Sequence, residues 1–323
     1  MLFLICAFLI SFLITHISVP LINNFAVRKR FFDFIDERKQ DRNPIPRIGG
    51  LSIVLGLLFS ISFLGFYKDL NLGIGNISIL LTLSVGFFLI GFLDDLLNIS
   101  PWPRLIIQVF LSAIAWFQNI RIESLDLSYL NIGIEFFVLP HFLSFIFTIF
   151  WIVGLTNAIN WIDGLDGLAT GITLIGLIGL LIINFKLKQF DTFFILFPIA
   201  GSCLSFLKFN FYPAKILMGD GGSYLLGFLL AFVSIISTTR YTFGTSETFA
   251  TAIYIPIILF LVPIFDMFAV IVKRIFSGRS PFYPDSEHLH HVLMAKGLSH
   301  RNTVLLIYLM SVFMASISVS LIK

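Results

Sequence analysis

The chain has 323 residues, of which 58% are hydrophobic and only 12% charged, with a mean hydropathy of +0.98. A soluble globular domain carries roughly 25% charged residues, so this composition excludes one and points to a lipid-embedded protein. The formal net charge of +3 informs through its placement rather than its size, and no nucleic-acid partner is expected.

A helix that crosses a bilayer needs about 20 mostly apolar residues, and about ten runs meet that requirement. They are roughly 1–22, 48–67, 76–93, 104–119, 140–157, 170–185, 190–208, 222–239, 250–272 and 302–322. The first has no basic segment before it and no small-residue cleavage site after it, so a retained helix is expected rather than a removed signal peptide. Cys6 and Cys203 fall inside apolar runs without metal-binding spacing and read as core thiols. The polar gaps are short and leave no room for a separate soluble domain. Residues 1–323 therefore read as one all-α, polytopic transmembrane domain.

Basic residues set the orientation, because loops that stay in the cytoplasm keep an excess of Lys and Arg. Arg28, Lys29, Arg30, Arg38, Lys39, Arg42 and Arg47 follow the first run, and Lys273, Arg274, Arg279, Lys296 and Arg301 follow the ninth. Arg104, Lys208 and Lys215 join that side, against Lys68, Arg121, Lys186, Lys188, Arg240 and Lys323 opposite. Both chain ends are then expected outside the cytoplasm. The segment 120–139 falls outside too, where its alternating Ile122, Leu125, Leu127 and Ile132, Ile134 suggest a short hairpin or surface element.

Five polar motifs fall on the cytoplasmic side. The stretch Arg42-Asn43-Pro44-Ile45-Pro46-Arg47-Ile48-Gly49-Gly50 leads into the second run. Its prolines hold an extended approach, its paired glycines permit close packing, and Arg28 to Arg47 read as a basic collar for an anionic lipid headgroup. Asp94 and Asp95 stand side by side at the end of the third run; adjacent like charges repel, which a divalent metal or a bound phosphate partner would explain. Asn157, Asn160, Asp163 and Asp166 recur every third residue across a membrane border, a costly place for polar groups. Asn157 and Asn160 lie on neighbouring helix faces, and Asp163-Gly164 and Asp166-Gly167 read as a helix end and turn.

Further on, Met218-Gly219-Asp220-Gly221-Gly222-Ser223 precedes the eighth run. Its glycines let the backbone approach a ligand, Ser223 is placed to cap the next helix, and Asp220 is a hard oxygen ligand suited to Mg²⁺. No Lys-Ser/Thr follows, so this is not a Walker-type loop. In Asp285-Ser286-Glu287-His288-Leu289-His290-His291, a helix would put His288 and His291 on one face. With carboxylates available for magnesium and no companion cysteine for zinc, the histidines are expected to donate to a diphosphate. Gly297 is placed to end that helix and Ser299 to begin the last.

Taken together, Pro46–Gly50 (PRIGG), Gly91–Asp95 (GFLDD), Asn157–Gly171 (NAINWIDGLDGLATG), Met218–Ser223 (MGDGGS) and His288–His291 (HLHH) resemble a family. It is the bacterial polyprenyl-phosphate N-acetylhexosamine-1-phosphate transferases, relatives of the lipid I-forming phospho-N-acetylmuramoyl-pentapeptide transferase. The HLHH cluster looks more like the glycan-initiating branch. Asn98 departs from the acid, and Ser286 from the basic residue, that family members often carry there.

The resemblance implies transfer of a sugar-1-phosphate from a UDP-N-acetylamino sugar to undecaprenyl phosphate in the bacterial cytoplasmic membrane, releasing UMP. It further implies Mg²⁺ (with Mn²⁺ able to substitute) on Asp220, and a catalytic role for Asp94 and Asp95 in positioning the metal and the lipid phosphate, with one of the two open to acting as base. Asp95, one step nearer the cytoplasm, is expected to act on the lipid phosphate. Asn157, Asn160, Asp163 and Asp166 would shape the nucleotide-sugar pocket, His288, His290 and His291 would meet the diphosphate, and Arg47 the lipid phosphate. Direct attack is expected over an aspartyl intermediate, since a lipid phosphate is already ionised near pH 7. Membrane lipid is an expected partner, and a homodimer is left open. The rival class is a transporter or lipid carrier with a cytoplasmic metal-binding gate, which would form no UMP. Such a path would be expected to keep ionisable groups near the bilayer midplane instead.

Overall fold

The computed structural model describes residues 2–29, 45–65, 77–126, 136–241, 249–251, 253–283 and 285–322. Arg30, Arg38, Lys39, Arg42, Asn43, Pro44, Lys68 and Lys323 of the motif and charge patterns above lie outside them.

Among the described residues, seven of the expected runs are helices long and apolar enough to cross a membrane. They are α1 (Leu2–Lys29), α3 (Ile77–Leu97), α5 (His141–Ile162), α6 (Leu168–Lys186), α7 (Phe193–Asn210, entered through a 3₁₀ turn), α8 (Gly219–Thr238) and α12 (His300–Ser320). Two more, α2 (Gly50–Gly65) and α4 (Pro101–Phe117), are shorter apolar helices. The ninth run does not form one unbroken helix. It divides into α9 (Tyr254–Leu259) and α10 (Leu261–Phe276) at Phe260, and a short α11 (Leu289–Ala295) precedes α12. Pro263 explains the break: it has no N–H to offer the Leu259 carbonyl, and its ring crowds that turn. This is a multi-pass, all-α membrane protein.

Helix α8 is its axis. Of its membrane-length window 89% is buried, against 22% for α1. A helix apolar on every side belongs inside a bundle, and α8 packs against α2, α3, α5 and α6. Polar pairs tie it to two of them, Trp151 Nε1 donating to Ser234 Oγ at 3.0 Å and Asn184 Nδ2 to Ser237 Oγ at 2.8 Å. In contrast, α1 turns Leu9, Leu13, Ile17 and Leu21 outward at helical spacing, as a lipid-facing helix does.

Successive helices reverse direction, and this gathers the polar motifs. The C-terminal ends of α3, α5, α7 and α10 meet the N-terminal ends of α2, α4, α6, α8 and α12. At the opposite end, β1 (Ser124–Asp126) and β2 (Phe136–Val138) pair antiparallel; of the alternation read there, Leu127, Ile132 and Ile134 lie outside the described residues. This pair joins a second, β3 (Thr239–Tyr241) and β4 (Phe249–Thr251), in the order β2-β1-β4-β3, with β1 and β4 parallel.

Candidate active site

Two motifs distant in sequence are stitched together by backbone. Leu217 N–H donates to Pro46 O, Gly49 N–H to Leu217 O and Gly50 N–H to Met218 O, at 2.8–2.9 Å. Side chains would forbid this approach: a Cβ on Gly50 would lie 2.4 Å from Gly222, and one on Gly91 2.2 Å from the Asp220 carbonyl oxygen. Gly219, at φ +76°, opens α8 in a conformation that glycine adopts without strain. The result sets Arg47, Asp94, Asp95 and Asp220 side by side.

The two adjacent aspartates do different things, as the 100° step between neighbouring helix positions requires. Asp95 turns to the start of α8, where its Oδ1 accepts the Asp220 N–H (2.9 Å) and its Oδ2 the Gly221 N–H (3.0 Å). Arg47 Nε adds an ion pair at 3.1 Å, and the Asp95 side chain is 2% exposed. Its oxygens therefore serve a helix N-terminus, whose orphan amides and dipole favour an anion. Asp95 is thus engaged by the α8 backbone and by Arg47, while the Asp94 side chain is 8% exposed. Asp94 pairs with Arg104, whose Nη1 also lies 3.6 Å from Asp220 Oδ2. Asp220 Oδ1 accepts from Arg47 Nη2 (2.6 Å) and Asn160 Nδ2 (3.0 Å). Arg47 thus sits within the carboxylate cluster itself.

Ser223 does not cap α8, since the helix begins four residues earlier. Its hydroxyl lies 2.9 Å from Asn160 Nδ2 and 3.2 Å from the Asp220 carbonyl. Capping falls to Asp95 instead.

The α5 motif splits in the same way. Asn160 touches Asp220, whereas Asn157 donates to Gln108 Oε1 on α4 at 2.7 Å. Asp163 ends α5, and Gly167 makes the turn into α6 at φ +79°, as the glycine spacing suggests. Asp166, 4% exposed, is a brace: its Oδ2 accepts the Ala214 N–H (3.1 Å), its own N–H donates to His300 Nε2 (3.1 Å), and His300 stacks on Tyr212.

The histidines are not arranged as one helix face would arrange them. His288 precedes α11 in extended conformation because Asp266 on α10 takes hold of it, Oδ2 to Nδ1 at 2.8 Å, while Asp266 Oδ1 accepts the Leu289 N–H at 2.6 Å. Its ring therefore stacks on His290, centroids 5.7 Å apart, and His290 in turn lies 4.3 Å from the His291 ring. Burial first, then the neighbouring His291 and His288, push His290 down to about 3 from its ordinary 6.5. Its Nε2 abuts Gly164, where a Cβ would come within 2.2 Å, so the α5 turn and the histidine loop are in contact. The loop is pinned by Arg274, which pairs with Asp285 through Nε (2.7 Å) and Nη2 (3.0 Å) and lies over the Trp161 ring at 5.1 Å. The Arg274 hydrogen bonds hold the Asp285 carboxyl below the usual carboxylate range. As the motif reading expects, Gly297 closes the turn after α11 at φ +95°, and Ser299 caps α12 by accepting the Asn302 N–H.

Sequence reasoning misses Arg104, Gln108, Asp266 and His300 as site residues. Arg104 reads as one more topogenic charge, yet it is placed one turn into α4 to face the end of α3. Asp266 had a usable signal: it is the lone carboxylate in the ninth apolar run.

The donors suit a hard cation. Among the described residues no three His, Cys, Asp or Glu converge as a ready metal cage. Mg²⁺ is held through one or two carboxylates, with phosphate and water completing its shell. Asp94 and Asp220, bridged by Arg104, are two carboxylates that would serve such an ion.

Fold and site define a multi-pass membrane protein whose charged centre lies at the common end of its helices. Residues 77–238, running from α3 through α8, match the family model for glycosyl transferase family 4. Across 99% of this chain and 85% of its own length, a Bacillus subtilis (strain 168) protein named "Probable undecaprenyl-phosphate N-acetylglucosaminyl 1-phosphate transferase" is 33% identical. A decaprenyl-phosphate N-acetylglucosaminephosphotransferase of Mycobacterium leprae is 32% identical over 92% of this chain and 78% of its own. The undecaprenyl-phosphate alpha-N-acetylglucosaminyl 1-phosphate transferase of Escherichia coli O157:H7 is 29% identical, covering 95% and 81%. The chain belongs to glycosyl transferase family 4 and is a membrane-embedded phosphotransferase.

Proposed function

We propose that this enzyme transfers N-acetylglucosamine-1-phosphate from UDP-N-acetylglucosamine to undecaprenyl phosphate on the cytoplasmic face of a bacterial membrane, releasing UMP and starting a lipid-linked cell-surface glycan. One observation carries the reading: Asp94, Asp95 and Asp220 meet Arg47 and Arg104 at the membrane-border end of the bundle. The names of the relatives supply the transferred group, N-acetylglucosamine 1-phosphate, and a polyprenyl phosphate acceptor.

Phosphoryl transfer asks mainly for positioning and charge stabilisation. Asp220 and Asp94 would hold Mg²⁺, which when bound would neutralise charge on the diphosphate. Asn160 orients Asp220 through its amide, and Asp95 fixes the start of α8 on which Asp220 stands. Arg47 and Arg104 balance the carboxylates and remain within reach of phosphate oxygens arriving beside them. The histidine loop, pressed against the α5 turn at Gly164, forms the nucleotide side of the pocket. The acceptor phosphate, ionised near neutral pH, attacks directly, so no carboxylate need become covalently bound.

The test is UMP release from UDP-N-acetylglucosamine by membranes containing the protein, undecaprenyl phosphate and Mg²⁺, with a panel of other UDP-sugars alongside. Lipid-dependent UMP with this donor is expected. Movement of lipid or solute without UMP would instead establish the transporter reading.

A further inference from the structure

We infer that Asp266 is a positioning residue that selects the hydrogen-bonding state of His288 for the diphosphate of the nucleotide sugar. The inference rests on the proposed transfer reaction and adds a residue to it. Asp266 is 4% exposed and lies on α10, outside the region matched by the family model. Both of its oxygens are committed, Oδ2 to His288 Nδ1 at 2.8 Å and Oδ1 to the Leu289 N–H at 2.6 Å.

A neutral imidazole bears its hydrogen on one nitrogen, and the partner of the other nitrogen decides which. The carboxylate keeps hydrogen on Nδ1 and leaves Nε2 as the ring's second polar atom. Nε2 can donate to a phosphate oxygen only if the ring carries both hydrogens, and the buried Asp266 charge is the counterion that such an imidazolium needs. Adjacent His290 cannot take this part, because burial and its histidine neighbours hold it neutral. The packing fixes the ring as well: the Trp161 ring lies edge-on at 5.8 Å and His290 is stacked at 5.7 Å. The other charged groups of this region are otherwise engaged. Arg274 pairs with Asp285, and Lys273 with Glu287 at 3.7 Å. Asp266 is therefore the carboxylate that answers to His288.

The experiment uses the purified full chain, comparing wild type with Asp266→Asn, Asp266→Glu, His288→Gln and the Asp266→Asn/His288→Gln double variant. Thermal stability, kcat and KM for UDP-N-acetylglucosamine are measured for each. Asp266→Asn presents an amide to Nδ1 and is expected to lose roughly 10- to 100-fold in kcat/KM, in the range of general acid–base and hydrogen-bond contributions. His288→Gln should lose a similar factor. The double variant should lose no more than the worse single one, and Asp266→Glu should recover part of the activity. If the single losses multiply in the double variant, or if His288→Gln turns over like wild type, the inference is overturned. The second outcome decides even if Asp266→Asn fails to fold. Absence of UMP from wild type would overturn the transfer reading, and the inference with it; normal wild-type turnover with multiplying losses would overturn the inference alone.

Discussion

Asp220 is the residue on which the cluster converges, touched by Arg47 and Asn160 and approached by Arg104. Asp220→Asn removes one unit of ligand charge at nearly constant volume. Activity is expected to fall at least roughly 10²-fold with the protein still inserted, because charge stabilisation of transferring phosphates supplies several kcal/mol. Near-normal turnover by an inserted variant would remove Asp220 from the metal site. The neighbouring aspartates are expected to separate by assay. Asp94→Asn should raise the Mg²⁺ requirement and be partly restored by excess Mg²⁺, with little change in stability, since Arg104 keeps Asp220 as a partner. Asp95→Asn should lower stability by about 1–2 kcal/mol, because it weakens an anion at a helix N-terminus, and added metal should not restore it. Identical metal rescue of both variants would contradict the division seen in the structure.

At the scale of elements, α11 carries a measurable pH dependence. His290 stays neutral in the fold down to about 3, whereas in the unfolded chain it takes a proton below its ordinary 6.5. The unfolded state then binds more protons between those values. The stability from burying the neutral ring is therefore complete above 6.5 and declines as pH falls towards about 3, by up to about 1.4 kcal/mol per pH unit. Thermal denaturation between pH 7 and pH 5 should show wild type losing stability more steeply than His290→Gln. Parallel curves would show that His290 is not buried neutral. Contact between His290 and Gly164 makes the same element a reporter on the α5 turn.

At the scale of the whole molecule, the gathering of helix ends makes orientation a single question for every motif. The basic excess on the motif side favours the cytoplasm. Ser286 is exposed in the α10–α11 loop, so cysteine placed there, with Cys6 and Cys203 replaced, is a suitable probe. It should resist an impermeant thiol reagent in intact cells and react after permeabilisation. Labelling of intact cells would turn the whole site to the other face.

Local chemistry along the chain encodes part of this architecture. Apolar run length is enough to mark membrane helices, since a spanning segment must satisfy its backbone internally and face lipid with its side chains. Glycine positions foretell the turns at Gly167 and Gly297, and Ser299 its cap, because those are properties of the chain a few residues either way. The motifs also name most of the charged centre. Tertiary structure alone decided which way each group faces. Nothing local distinguishes Asp94 from Asp95; the packing of α8 against the end of α3 does, giving one to Arg104 and the other to two backbone amides. The displacement of His288 from the α11 face likewise comes from Asp266, 22 residues away. Partners that distant meet only once the helices have packed, so their hydrogen bonds are written in the fold and not in any window of the sequence.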